Sequence, residues 1–374
     1  MILGVDLGWH APVVAAVRDG ALTEAGAAVR AVSVAVDLDT ARRARVAAIR
    51  VAGPCPPGLG PLAGWPDGSG VGTVVRGGHS LTGRPIAELD AAAVARFAAG
   101  CGLTDFAVTA TGSPGLPDHE LAVAEIITAE VPGARITLSY EFGRAGLRER
   151  ENSAILNAAL GPEADRIAGR VAARVARDLP GTPLFFARTG TGLVSAHYFR
   201  RYPLVCYLGA FTCALRGGAA LAGLGDTAVQ ERGRTVRTGL VTGGVPRTGG
   251  RRGADVPVNV PLPMLVSAPG GVAVGPSARE AGPGWQVPER AELAVAYGAA
   301  LAGPAAEVER IVHARGRAEL DRAIDDARDE ALTRVVSAGA VPGSARVATT
   351  VVNPLSYLPD GLYRVQVKAE GTAP

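Results

Sequence analysis

Two short stretches place a carboxylate beside glycine directly after an apolar strand. The first is Ile2–Gly8, ILGVDLG, with Asp6 and Gly8 in its turn. The second is Glu231–Thr238, ERGRTVRT, with Glu231, Gly233 and Thr235. Glycine lacks a Cβ, so backbone N–H groups in such turns can converge on an anion. A carboxylate beside them can hold a cation through water. Asp6 also reads as a plain turn residue that accepts backbone N–H groups. Arg232, Arg234 and Arg237 crowd the second stretch. A guanidinium can grip an anion bidentately without metal, although basic turns are usually solvated faces. A later glycine turn, Gly270–Gly271, and a small-residue helix around Gly298 complete the set. His10 follows the first turn and is the one histidine kept as a site candidate.

Other chemistries lack their residues. The remaining histidines, His79, His119, His197 and His313, show no HxH or HExxH spacing, so no metal site is expected. Cys55, Cys101, Cys206 and Cys213 form no CxxC pair and read as free thiols. Ser113 and Ser195 lack the GxSxG elbow of a hydrolase triad. Lys368 is the only lysine, which excludes a P-loop and leaves no internal Schiff-base amine.

The elements that must carry these turns follow from periodicity and punctuation. Strands are expected at Ile2–Val5, Val13–Val17, Asp105–Thr109, Leu184–Ala187, Ala228–Gln230, Gly239–Val241 and Leu262–Val266. Helices are expected at Thr40–Ala48, Leu89–Ala99, Asp118–Val131 (capped by Asp118), Ser195–Tyr202, Leu215–Gly223, Ala291–Ala302 and Glu307–Ala338. Residues 52–72 read as a Pro/Gly loop, and 243–257 as a flexible basic loop. The chain closes with a hairpin of Ala345–Val352 and Tyr363–Ala369. Strand and helix alternate, so the expected class is α/β in two lobes, 1–150 and 151–374.

Composition narrows the partners. With 38 basic and 35 acidic residues the net charge is +3, which does not argue for nucleic acid. The longest apolar run, Pro203–Leu215, is too short to span a bilayer. The N-terminus carries no basic region of a signal peptide, so a cytoplasmic protein is expected.

One stretch carries more information than the rest: Thr137–Leu160, TLSYEFGRAGLRERENSAILNAAL. It reads as a strand turning into a long helix. Taken alone, its run Arg148–Glu151 is a solvated first turn with internal ion pairs. Taken whole, it resembles the junction of hydantoinase/oxoprolinase A-type subunits, the N-methylhydantoinase A-like members of the actin-like ATPase superfamily. Pro183–Pro203, Ala268–Gly271, Ala294–Ala300 and the tail Pro354–Lys368 match in the same order.

The resemblance implies a two-lobe actin-like (ribonuclease H-like) fold with a shortened second lobe, residues 248–260 replacing a longer stretch. It implies a nucleotide site built from Gly8, Gly233, Thr235, Gly270, Gly271 and Gly298, with Asp6 and Glu231 as acids. The departures are chemical. Arg234 replaces a glycine, Thr238 replaces an acid, and Arg237 adds bulk where phosphate would meet backbone. The expectation is an eroded ATP site in a binding or partner subunit. That subunit would need no cofactor, and would pair with a B-type subunit or a pathway enzyme. His10, Arg234 and Arg237 are then anion-binding candidates for a small-molecule ligand. The rival expectation is an active ATP- and Mg²⁺-dependent hydrolase that opens a cyclic amide.

Overall fold

The structure is a computed structural model that describes residues 1–7, 11–24, 28–113, 115–143, 146–253, 256–355 and 361–372, with the backbone alone at 57 and 250–253. Gly8 and His10 lie outside the described residues.

Two sheets repeat one plan. In the first, Ile2–Asp6 is central. Antiparallel Val13–Arg18 and then Ala21–Leu22 extend one side; parallel Ala31–Ala35 and then Leu184–Ala187 extend the other, and Leu193–Ser195 closes the edge. In the second, Thr227–Arg232 is central. Antiparallel Val236–Thr242 and Val245–Pro246 lie on one side, and parallel Gly271–Val274 and Trp285–Gln286 on the other. Both are therefore hairpin-first sheets whose fourth and fifth strands run parallel to the first. The expected boundary at residue 150 falls inside the helix Leu147–Asp178, and the first sheet takes two strands from beyond it.

Helix Gly209–Leu221 leans on the second sheet and helix Ala294–Ala300 on the first, and the two cross between the lobes. The crossing is at backbone contact. A Cβ on Gly217 would lie 1.9 Å from Ala294 O, and one on Gly298 2.0 Å from Cys213 O. No side chain can give way there. Gly298→Ala is thus expected to cost about 1–3 kcal/mol by overpacking, despite the ~1 kcal/mol by which helix propensity favours Ala. Gly233→Ala, where a Cβ meets nothing within 4 Å, should change stability by less than about 0.5 kcal/mol. Urea titration of both variants checks this, and equal midpoints would contradict a tight crossing.

Two further units attach. A parallel four-stranded sheet, with Val46–Ala52 and Asp105–Ala110 at its centre, is flanked by helices Ala91–Gly100 and Asp118–Glu130. Val46–Ala52 is buried throughout, as a parallel strand covered on both faces must be. At the C-terminus a sheet of Ala305–His313, Leu362–Glu370 and Arg346–Pro354 packs on helix Arg317–Ser337.

Several expectations need correction. Thr40–Ala48 is not helical: it is a loop running into Val46–Ala52. Glu307–Ala338 is not one helix. Its first part is strand Ala305–His313, in which Ala306 and Val308 point inward while Glu307 and Glu309 meet Lys368 and Arg364 across the strand pair. Residues 243–257 are not a free loop, because Thr248–Gly253 pairs with Val256–Pro263. That hairpin docks on the long helix through Asn152 Nδ2 to Pro257 O at 3.0 Å. Asp118 is the first residue of its helix rather than the cap, which is Pro117.

The charged opening of the long helix is not solvated. Arg150, Glu151, Asn152 and Ser153 are all buried. Glu151 accepts Arg50 Nε at 2.8 Å, and Trp65 Nε1 donates to Asn152 Oδ1 at 3.0 Å. This segment ties the parallel sheet to the two lobes.

Candidate functional site

The tip of the second hairpin is open: Arg234 and Thr235 are exposed. Behind it, antiparallel register sets Arg237 directly opposite Glu231. Arg237 donates to Glu231 Oε2 from Nε at 3.0 Å and from Nη2 at 2.7 Å. The same guanidinium crosses to the first lobe. There Nη2 bonds Asp37 Oδ2, and Nη1 reaches Asp39 Oδ2 at 3.4 Å. Its Cζ lies over the Phe211 ring, 4.8 Å from the centroid, a cation–π contact.

Asp37 does a second job. It follows strand Ala31–Ala35, and its Oδ1 accepts Ala210 N at 3.1 Å and Phe211 N at 3.2 Å. These N–H groups open helix Gly209–Leu221, where backbone dipoles favour a negative charge. A carboxylate of the chain itself thus holds the anion position at this helix end. Asp6 ends the central strand of the first sheet, and its charge acts on Glu231 and Cys213.

The charges are unequal: Asp37, Asp39 and Glu231 face one guanidinium. Burial pushes the Glu231 carboxyl up to about 7, with Arg237 pulling it down and Asp37 pushing it up. Burial raises Asp37 as well, again against Arg237. Burial opposes the charge on Arg237, but Asp37 and Glu231 outweigh it and hold the guanidinium protonated.

The sign of the linkage follows. A carboxyl whose folded value lies above its ordinary value binds its proton more tightly when folded. Its favourable contribution is complete below about 4.5 and is lost as pH rises through about 7. Stability of the parent minus that of Glu231→Gln should therefore move against the parent by up to about 3 kcal/mol between roughly pH 4.5 and 8. Urea titrations across that range measure it, and a flat difference would refute the assignment.

Gly270 and Gly271 lie at close approaches of main chain. A Cβ on Gly270 would sit 2.3 Å from Gly284 O, and one on Gly271 2.2 Å from Ala228 O. Gly298 belongs to the helix crossing. Gln230, Arg237, Thr238 and Ser267 line a cleft of about 380 Å³ with Val236 and Leu265 on its walls. Asp37, Asp39 and Phe211 were not anticipated. The signal for the two acids was the run AVSVAVDLD (31–39), an apolar strand ending in carboxylates as in GVDLG. Among the described residues no helix is long and apolar enough to cross a membrane.

Solved structures resemble the whole chain. The nucleotide-free structure of acetone carboxylase, from work on ATP-dependent acetone carboxylation, matches with a TM-score of 0.71 at 11% identity, covering 100% of this chain and 88% of that one. The ATP-dependent caprolactamase from Pseudomonas jessenii matches with a TM-score of 0.73 at 12% identity, covering 99% and 87%. No protein-family model and no curated protein matches the chain in sequence. Likeness at this identity speaks for the fold, and the repeated sheet plan agrees with it. The chain has the two-lobe actin-like ATPase fold that its resemblance to hydantoinase/oxoprolinase A-type subunits implies.

Proposed function

We propose that this chain is a hydantoinase/oxoprolinase A-subunit-like protein whose interlobe site is filled by its own side chains. It then serves as a binding or partner subunit in place of an ATPase. Arg237 carries this reading. A magnesium–nucleotide needs carboxylates free to face the ion's water shell and backbone N–H groups free to face phosphate. Here Asp37, Asp39 and Glu231 turn toward one guanidinium, and Asp37 takes the N–H groups of Ala210 and Phe211. Magnesium–ATP does not fit that arrangement. The partner suggested by the resemblance is a B-type subunit or a pathway enzyme, and the proposed location is the cytoplasm.

Both similar structures are named for ATP-dependent reactions, which favours a second reading. In it the chain is an ATP-dependent hydrolase that opens a cyclic amide, with Asp6 and Glu231 as its acids. Calorimetry with magnesium–ATP separates the two. The first reading expects no binding below about 1 mM. Micromolar binding, with phosphate release that disappears in Asp6→Ala, would overturn it in favour of the second.

A further inference from the structure

Behind the helix crossing lies a polar pocket of about 280 Å³, small beside ligand pockets of roughly 300–1,000 Å³. Thr191 and Gly192 of the first sheet's last turn form one wall. Arg216 of helix Gly209–Leu221 forms the floor, and Ser344, Arg346 and Thr372 of the C-terminal unit form the other wall.

Arg216 differs from three other enclosed arginines. Arg50 is paired with Glu151, Arg150 faces Glu120, and Arg237 meets three carboxylates. Arg216 Nη1 donates to Gly298 O at 3.1 Å and Nη2 to Gly190 O at 3.0 Å. Carbonyls orient a guanidinium without bringing it a formal countercharge. Among the described residues no carboxylate forms an ion pair with it. Arg346 adds a second charge at the rim. Its partner Glu370 is 46% exposed and Arg346 itself 72% exposed, so that pair is weak and free to exchange partners. The lining Arg216, Arg346 and Glu370 sums to one net positive charge. Ser344 braces the wall, donating to Val341 O at 2.7 Å and accepting Thr372 N at 3.0 Å.

We propose that this pocket binds a small oxyanion, a carboxylate or phosphate group of a metabolite, between Arg216 and Arg346. Both groups present the paired oxygens that a guanidinium fork recognises. The anion would touch the first sheet's turn, a crossing helix and the C-terminal unit together, so its binding stabilises all three as one body. The inference is independent of what the interlobe cleft binds.

The test is calorimetry and thermal melting of the intact chain with inorganic phosphate and, separately, with malonate. The expected result is binding of at least one with a dissociation constant below about 1 mM and a raised melting temperature. The tighter probe identifies phosphate or carboxylate as the source. Arg216→Gln should weaken binding at least about tenfold. Arg346→Glu, at an exposed position that does not threaten folding, should weaken it by as much. Arg234→Ala, at the open hairpin tip, should leave it unchanged. No binding of either probe up to about 10 mM overturns the proposal. So does binding that survives Arg346→Glu but is lost in Arg234→Ala, which would place the anion at the interlobe turn.

Discussion

Replacing Arg237 with Met is expected to destabilise the chain by about 3–5 kcal/mol, the usual consequence of leaving buried charge without its partner. The guanidinium side chain is 15% exposed and Glu231 13% exposed, so solvent can screen little of the change. Without Arg237, the carboxylates Asp37, Asp39 and Glu231 face one another across the lobes, and Phe211 loses its cation. The melting temperature should fall by roughly 4–6 °C at neutral pH. Two further readings make the prediction specific. The deficit should shrink as pH falls toward 5, since protonation of Glu231 and Asp37 removes the repulsion. Millimolar Mg²⁺ should restore part of the lost stability in Arg237→Met and leave the parent unmoved, because a divalent ion can take the place of the guanidinium. A variant as stable as the parent at neutral pH, or equal response of both to Mg²⁺, would show that Arg237 does not compensate this cluster.

The placement of Arg237 explains how much of the site could be read from the chain. Glu231, Gly233 and Arg237 lie in a hairpin whose short turn sets the register, so their proximity was legible locally. The identity of the anion was not. Asp37 is 200 residues from Arg237 in sequence, and only the folded pair of sheets brings them together. Gly270, Gly271 and Gly298 were legible as sites of close approach, and in the folded chain the approaching group is another stretch of main chain. The fold was readable where pattern and length agreed, as in Asp105–Ala110 and Leu147–Asp178. It failed at Ala305–His313, AAEVERIVH, whose apolar residues satisfy both a two-residue and a helical period. The strand wins because Leu362–Glu370 offers it a full antiparallel ladder with oppositely charged cross-strand neighbours.

Arg150→Met should be as damaging as the loss of Arg237, although local sequence places Arg150 in a solvated helix opening. Arg150 is 1% exposed and Glu120 is fully buried. Glu120 accepts Ala110 N at 2.9 Å, Ser139 Oγ at 2.6 Å and Tyr140 N at 3.1 Å, with Arg150 Nη1 3.8 Å away. Arg150 donates to Ser113 Oγ at 2.7 Å and to Ser139 Oγ at 2.6 Å. Burial draws the arginine down to about 10 and raises the glutamate, so each ion is held against a desolvation cost. Removing the arginine alone leaves that cost on Glu120 with no countercharge, a loss of about 3–5 kcal/mol. Removing both ions, as Glu120→Leu with Arg150→Met, should cost less than the single change, because the stranded carboxylate goes too. Arg174→Ala, on the same helix but 72% exposed, should fall within about 0.5 kcal/mol of the parent. Urea midpoints of these three variants and of Glu120→Leu alone decide the matter. If the double variant is weakened by the sum of its parts, Arg150 and Glu120 act independently. The pair would then not be what fastens the parallel sheet to the junction helix.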